Sequence, residues 1–213
     1  MAQYFQIHPN TPQLRLIRQA VAILRQDGVI VYPTDSSYAL ACRIDSVKAL
    51  ERIRRIRQLP EKHDFTLVCR DLSQVAKFVR LGNQAHRLIK TLTPGPYTFI
   101  LLATREVPKR LKHPSRKTVG IRLPDHAVAQ ALVAELQEPL FSTTLILPGE
   151  EMALDDPEGI RSRLESQVDL IIGCGVVPYE PTSIVDLTED LPKVVRLGRG
   201  REKLEAVLGS PHG

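Results

Sequence analysis

Amphipathic helical patterns alternate with short apolar strand patterns through the first two thirds of the chain. Apolar residues recur at helical spacing from Leu14 to Leu24, and an apolar strand pattern follows at 29–32. A second helix is predicted to begin after Ser46, because a serine hydroxyl suits an N-cap. Strands that alternate with helices pair in parallel beneath those helices, so this pattern predicts an α/β fold.

Other strand patterns follow one another closely, and these predict antiparallel pairs as well. They lie at 97–103, 119–123, 168–172, 183–187 and 194–197. A twisted sheet of mixed parallel and antiparallel strands, with helices on its faces, is therefore expected. Because no linker or break in composition divides the chain, residues 1–208 are expected to form a single domain, followed by a flexible tail at 209–213.

Composition excludes several classes of protein. The 213 residues are 43% hydrophobic, which is enough to bury a core. No stretch approaches the ~20 apolar residues of a membrane span. The three cysteines form no CxxC pair and the six histidines no HxxxH pair, so neither a disulfide framework nor a zinc site is expected. A cytoplasmic location without membrane contact fits these features. The net charge of +5 permits a polyanionic partner and does not require one.

Short polar stretches adjoin several predicted strands and are candidates for a ligand site. They are Pro33–Tyr38, Thr93–Thr98, Ser142–Thr144 and Pro181–Asp186. Open α/β sheets bind ligands at the carboxyl ends of their strands, and buried hydroxyls need partners. Ordinary capped turns and neighbouring backbone would satisfy the same residues, so both interpretations stay open. Pro94 and Gly95 are in addition a suitable central pair for a type II turn.

Basic residues are concentrated in two segments. Arg57 lies near the end of the second predicted helix, where an arginine fork suits phosphate oxygens, although a solvated charged face is the alternative. The run 105–117 holds six cations and one acid, and includes Lys109, Arg110 and Lys112. This run is either a solvated loop or a contact surface for RNA phosphates. No Walker A, GxGxxG or GxSxG pattern occurs, so no motif in the sequence supports a P-loop, Rossmann or serine hydrolase site.

The motifs are weak singly, but their order is specific. In chain order they are Pro33-Thr34-Asp35, the basic helix end at Arg57, Thr93-Pro94-Gly95-Pro96, the strand Val119–Pro124, Ser142-Thr143 and Pro181–Asp186. In this order the chain resembles the YrdC/YciO family from about residue 8 to residue 198. The resemblance implies a YrdC-like fold with a concave, positively charged cavity.

The same resemblance implies a function. Members of the family make threonylcarbamoyl-adenylate from L-threonine, bicarbonate and ATP with Mg²⁺, and the product serves tRNA modification. Binding of double-stranded RNA or tRNA is also implied. On this resemblance Arg57 takes the place of the lysine in the family's catalytic Lys-x-Arg pattern, and no protein-bound metal is expected. The threonine site would include Thr34, Tyr38 and Ser183, and the nucleotide site Thr98, Arg122, Ser142 and Arg196.

The chain departs from the family pattern at two positions. Leu59 stands where Lys-x-Arg has its arginine, and Ile146 stands where the family's Ser-Thr-Ser-Ala-Asn has its asparagine. Both replacements remove polar groups that would face phosphate or metal. Two hypotheses therefore remain, which are a slow threonylcarbamoyl-adenylate synthase and a protein that binds double-stranded RNA or tRNA without efficient catalysis.

Overall fold

The computed structural model describes residues 1–60, 63 and 65–209, and residues 210–213 of the predicted tail lie outside this range. Its strands are β1 (Gln3–Gln6), β2 (Ile30–Pro33), β3 (Tyr38–Arg43), β4 (Thr66–Val68), β5 (Tyr97–Leu102), β6 (Thr118–Arg122), β7 (Leu140–Thr144), β8 (Leu170–Gly173), β9 (Ser183–Asp186) and β10 (Lys193–Arg196). Its helices are α1 (Leu14–Arg25), α2 (Val47–Arg57), α3 (Leu72–Phe78), α4 (Asn83–Leu92), α5 (Ala127–Leu136), α6 (Pro157–Leu164) and α7 (Arg201–Leu208). None of the described helices is long and apolar enough to cross a membrane.

All of these strands belong to one sheet, in the order β1-β8-β2-β3-β7-β4-β6-β5-β9-β10. The pairs β1/β8, β8/β2, β4/β6 and β5/β9 are parallel, and the other neighbouring pairs are antiparallel. The predicted mixed α/β sheet is therefore confirmed.

Helices cover both faces of this sheet. On the first face α1 and α5 pack over β2, β3 and β8, where Ile17 and Leu132 join Ile30 in one core. On the second face α2, α4 and α6 pack against alternate residues of the central strands, such as Phe99 and Phe141. Helices α1 and α5 cover only part of the first face. The polar residues of β5, β6 and β7 lie on the part that these two helices do not cover.

Three local expectations differ from the structure. The patterns at 168–172 and 183–187 do not pair with each other, because β8 lies between β1 and β2 while β9 lies beside β5. Gly95 does not have a positive φ, so the predicted type II turn is wrong, and the preceding Thr93–Pro94 bond is cis. The glycine is required by close packing instead, since a Cβ on Gly95 would lie 2.7 Å from the Leu92 carbonyl oxygen. The third difference is β3, which follows the predicted turn directly as a strand.

Candidate functional site

A cavity of about 260 Å³ opens on the first face of the sheet, over strands β7, β4, β6, β5 and β9. Its basic lining residues are Arg57, Arg122 and Arg196, and His63 lines it as well. Its hydroxyl lining residues are Ser36, Thr66, Thr98, Ser142, Thr182 and Tyr179, together with Thr143 and Thr144. The cavity therefore collects polar side chains from strands that are far apart in sequence.

Strand pairing explains why these side chains meet. Thr66 on β4 lies opposite Ser142 on one side and opposite Gly120 on the other, while Val68 lies opposite Arg122. Residues opposite each other in paired strands point to the same face, so a single face of four neighbouring strands carries the polar set.

Gly120 keeps the floor of the cavity open. A Cβ at this position would lie 2.8 Å from the Thr66 hydroxyl oxygen and 3.3 Å from the Thr98 methyl carbon. Any larger residue would therefore push these two side chains apart or fill the cavity.

Three arginines converge on the cavity from different elements. Arg57 is the last residue of α2, Arg122 ends β6 and Arg196 ends β10. Burial lowers the pKa of Arg57 and of Arg196, because a charged guanidinium loses hydration there. The Nε atoms of Arg57 and Arg122 are buried without a hydrogen-bond partner in the described residues. The cavity is thus lined by cationic side chains, which suit an anionic ligand.

The carboxylate of Asp35 contacts one of these three arginines. Asp35 accepts a 2.5 Å hydrogen bond from the Nη2 atom of Arg122, and both side chains are more than nine-tenths buried. Its second oxygen accepts from the backbone N–H of Asp125 at 2.8 Å. Among the described residues that line the cavity none is acidic, so this described part of the lining is cationic on balance.

The hydroxyl groups of the cavity are linked to one another and to the core. The Ser142 and Tyr32 hydroxyl oxygens are 2.8 Å apart, and burial raises the pKa of Tyr32 to about 12. The Thr98 and Thr182 hydroxyl oxygens are 3.0 Å apart. Arg196 donates from Nη2 to the Thr182 hydroxyl at 3.2 Å, which holds β10 against the rim.

The structure brings together five of the predicted site residues, which are Arg57, Thr98, Arg122, Ser142 and Arg196. The three residues predicted for threonine do not line this cavity, and their hydroxyls are bonded inside the protein. Thr34 donates to the Ser37 carbonyl at 2.8 Å, Tyr38 to the Gly175 carbonyl at 2.7 Å, and Ser183 to the Arg199 carbonyl at 3.0 Å. Their assignment to threonine stays a prediction from the resemblance alone.

The two departures from the family pattern lie in different surroundings. Ile146 lines the cavity. Leu59 instead packs against the core of the second face, directly after the end of α2. Gln58 has a left-handed backbone there, and the Leu59 N–H donates to the Arg54 carbonyl at 3.1 Å. This geometry is a Schellman helix end with its usual apolar contact, so Leu59 has a structural role.

The basic run lies away from the cavity. Leu111, between Lys109 and Lys112, is buried in the core of the second face. Arg110 donates to the Ile44 carbonyl at 2.8 Å and is therefore partly committed to packing. Lys109 is exposed, and RNA binding by this run remains a prediction.

Some lining residues were not predicted. Thr66, His63 and Tyr179 carry no motif, and Thr66 joins the site only through the pairing of β4 with β7. Alternation in β7 does predict that Ser142 and Thr144 share a face, but pairing partners are not readable from one strand. Tyr179 comes from the loop after β8, where no periodicity exists.

Comparison with known proteins identifies the chain's relatives. The family model for Sua5, YciO and YrdC, which carries the description "Telomere recombination", matches residues 22–198. The chain belongs to the Sua5/YciO/YrdC family. Among curated members of the family, YciO of Escherichia coli K12 is 57% identical over 203 residues, which are 95% of this chain and 98% of that protein. The threonylcarbamoyl-AMP synthase of Chromobacterium violaceum is 32% identical over 180 residues, which are 84% and 92% of the two chains.

Solved structures of Sua5/YciO/YrdC proteins share the fold. The crystal structure of E. coli YciO matches with a TM-score of 0.90 at 57% identity, covering 94% of this chain and 97% of the other. P. abyssi Sua5 complexed with L-threonine matches with a TM-score of 0.88 at 22% identity, covering 97% of this chain and 61% of the other. The second likeness extends to the fold alone.

Proposed function

We propose that this chain binds ATP and L-threonine in one shared cleft and makes threonylcarbamoyl-adenylate slowly. The observation that carries the proposal is the convergence of Arg57, Arg122 and Arg196 on a cavity that has no acidic residue in its described lining. Partly desolvated guanidinium groups favour an anionic partner, and arginine forks match phosphate and carboxylate oxygens. ATP and threonine both supply such oxygens.

Family membership supports the choice of ligands. The chain is 32% identical to a threonylcarbamoyl-AMP synthase over most of its length. In that reaction the threonine amine combines with bicarbonate to give a carbamate and water. A carbamate oxygen then attacks the α-phosphorus of ATP, and pyrophosphate leaves. Negative charge moves onto phosphate oxygens, so arginines held in place at the cavity would stabilise the transition state.

Magnesium fits this cavity only through the nucleotide. The described residues contain no group of three or more His, Cys, Asp or Glu side chains that could hold a metal ion. Both oxygens of Asp35 are engaged by Arg122 and Asp125. Mg²⁺ commonly keeps several waters and binds substrate phosphates, so it would enter with ATP rather than on a protein site.

Removing Arg57 is expected to weaken ATP binding by about 10-fold to 100-fold, the loss of one or two hydrogen bonds to a charged group. Isothermal titration calorimetry with ATP, with and without threonine, measures this change. Arg55→Ala is the matched control, because Arg55 is exposed on the same helix and does not line the cavity. Equal affinities for wild type and Arg57→Ala, or no ATP binding by wild type at millimolar concentration, would contradict the proposal.

Binding of duplex RNA or tRNA is the second candidate function, and the exposed cations of the basic run favour it. Arg105 has a side chain that is 95% exposed, and Lys109 is exposed as well. Phosphate contacts release counterions, so the affinity for duplex RNA should fall steeply with salt.

Replacing Lys109 and Lys112 by glutamine is expected to reduce the slope of log affinity against log salt by about 1 to 2, since each phosphate contact contributes about 0.9. Filter binding from 50 to 200 mM salt is a suitable assay. Lys203→Gln, on α7, serves as the control for a change in net charge alone. A slope that is zero in wild type, or unchanged in the double variant, would exclude this surface.

A further inference from the structure

The segment from Tyr32 to Asp35 lies behind the cavity rather than in its lining. Tyr32 is fully buried, and its hydroxyl is 2.8 Å from the hydroxyl of Ser142. Asp35 holds Arg122 at 2.5 Å. Ser142 and Arg122 both line the cavity, and neither Tyr32 nor Asp35 does. Each of these two donors is thus contacted from behind by a residue of one short segment.

We propose that Tyr32 and Asp35 are positioning residues, which orient the hydroxyl of Ser142 and the guanidinium of Arg122 toward an anionic ligand. The inference rests on the proposed function, because it concerns how the same cavity recognises its ligand. Within the Pro33-Thr34-Asp35 motif it assigns Asp35 a role in support of the site.

Tyr32 reaches Ser142 across a neighbouring strand. It lies opposite Ala39 on β3, and Ala41 of the same strand lies opposite Ser142 on β7. The small alanine side chains leave room for the tyrosine ring to extend from β2 to β7. In the described residues the Tyr32 hydroxyl has this single hydrogen bond.

The direction of this hydrogen bond determines what Ser142 can do. In the proposed arrangement Tyr32 donates to Ser142, because a phenol is a stronger acid than an aliphatic alcohol and Ser142 is its one partner among the described residues. The Ser142 oxygen then accepts from Tyr32, and its own hydrogen is left to point into the cavity. Ser142 becomes a fixed donor, which suits a phosphate or carboxylate oxygen and not another donor.

Asp35 fixes Arg122 in a similar way. Its carboxylate occupies the Nη2 atom of the guanidinium and is itself held by the Asp125 backbone N–H. The Nε atom of Arg122 remains buried and unpartnered in the described residues. Asp35 thus fixes the plane of the guanidinium, and the part of Arg122 that lines the cavity is held ready for a ligand oxygen.

Asp35 could act on anion binding through its charge alone or by positioning Arg122, and these two roles predict opposite changes in affinity when Asp35 is neutralised. If Asp35 acted only through its charge, Asp35→Asn would tighten anion binding, because a nearby negative charge disappears. If Asp35 positions Arg122, the same change should weaken anion binding. Asp125→Asn is the matched control, because this exposed neighbour carries the same charge and, among the described residues, no ion pair joins its side chain to Arg122.

Calorimetry with inorganic pyrophosphate and with ATP tests the proposal. Asp35→Asn and Tyr32→Phe are each expected to weaken both ligands about 10-fold, the range of one charge-assisted hydrogen bond. Asp125→Asn should leave affinity equal or slightly tighter. Because Tyr32 acts through Ser142, Tyr32→Phe should have no further effect in a Ser142→Ala background, a coupling that general loss of stability would not produce.

The outcomes separate this inference from the proposed function. Unchanged affinity in Tyr32→Phe, an equal loss in the Ser142→Ala background, or tighter binding by Asp35→Asn would overturn the positioning role. Wild-type binding of pyrophosphate without ATP would overturn the proposed function alone, and binding of neither would overturn both. Should Asp35→Asn fail to fold, the Tyr32 and Ser142 cycle decides, since phenylalanine retains the buried ring.

Discussion

Ile146→Asn is expected to raise threonine-dependent pyrophosphate release by about 100-fold. The residue lines the cavity, and an asparagine amide would restore a donor at a position where the family pattern has one. A preorganised donor to developing charge is worth about 3 kcal/mol, which is about 10²-fold in rate. The assay measures pyrophosphate with ATP and bicarbonate, with and without threonine. A wild-type rate equal to that of a full-motif relative would show that the missing amide never carried the chemistry.

Leu59→Arg is the matched control for that gain. Leu59 and Ile146 both stand where the family pattern has a polar residue. Leu59, however, packs against the core and does not line the cavity. Leu59→Arg alone should therefore give no gain in rate, and it should lower the unfolding free energy because the helix-end contact is lost. A gain from Leu59→Arg that matches or exceeds the gain from Ile146→Asn would contradict this account.

Asp35→Ala is expected to lower the free energy of unfolding by about 3 to 5 kcal/mol, the usual loss when one partner of a buried ion pair is removed. The large effect arises because Arg122 would keep a buried charge with no compensating carboxylate. Urea denaturation followed by circular dichroism measures the change.

Glu138→Ala provides the comparison for this second prediction. Glu138 pairs with Arg43 at 2.9 Å, but its side chain is 40% exposed, so the expected loss is about 1 kcal/mol or less. Similar losses of unfolding free energy for the two variants would show that the buried Asp35–Arg122 pair contributes no more to stability than the more exposed Glu138–Arg43 pair.

The sequence predicts much of the fold because local patterns and the fold agree. The 3.6-residue period of α1 and the serine cap of α2 both match the structure, and the Ser46 hydroxyl accepts from the Ala49 N–H at 3.2 Å. Strand β3 has no such signal, because it is buried on both faces and shows no alternation. Strand β1 is four residues long at the sheet edge, too short for a period to appear.

The site was predictable where hydroxyls interrupt an apolar strand pattern and where arginines stand at strand or helix ends. Ser142 is of the first kind, Arg57 and Arg122 are of the second, and all three line one cavity. The sequence does not show whether a given hydroxyl is free to meet a ligand. Thr34 and Tyr38 have the pattern of ligand residues, but their hydroxyls donate to backbone carbonyls. A hydroxyl in a turn satisfies either a ligand or its own chain, and only the three-dimensional neighbours distinguish the two.

The strand order also sets when the cavity can exist during folding. Gln3 pairs with Leu170, and the cavity needs β9, which begins at Ser183. Contacts of such long sequence separation form slowly, because a long loop must close before they contribute. The central strands can begin to pair earlier during synthesis, but the cavity is complete only when β9 and β10 have joined the sheet. Ligand binding would thus mark the completed sheet, and fragments that end before β9 would lack it.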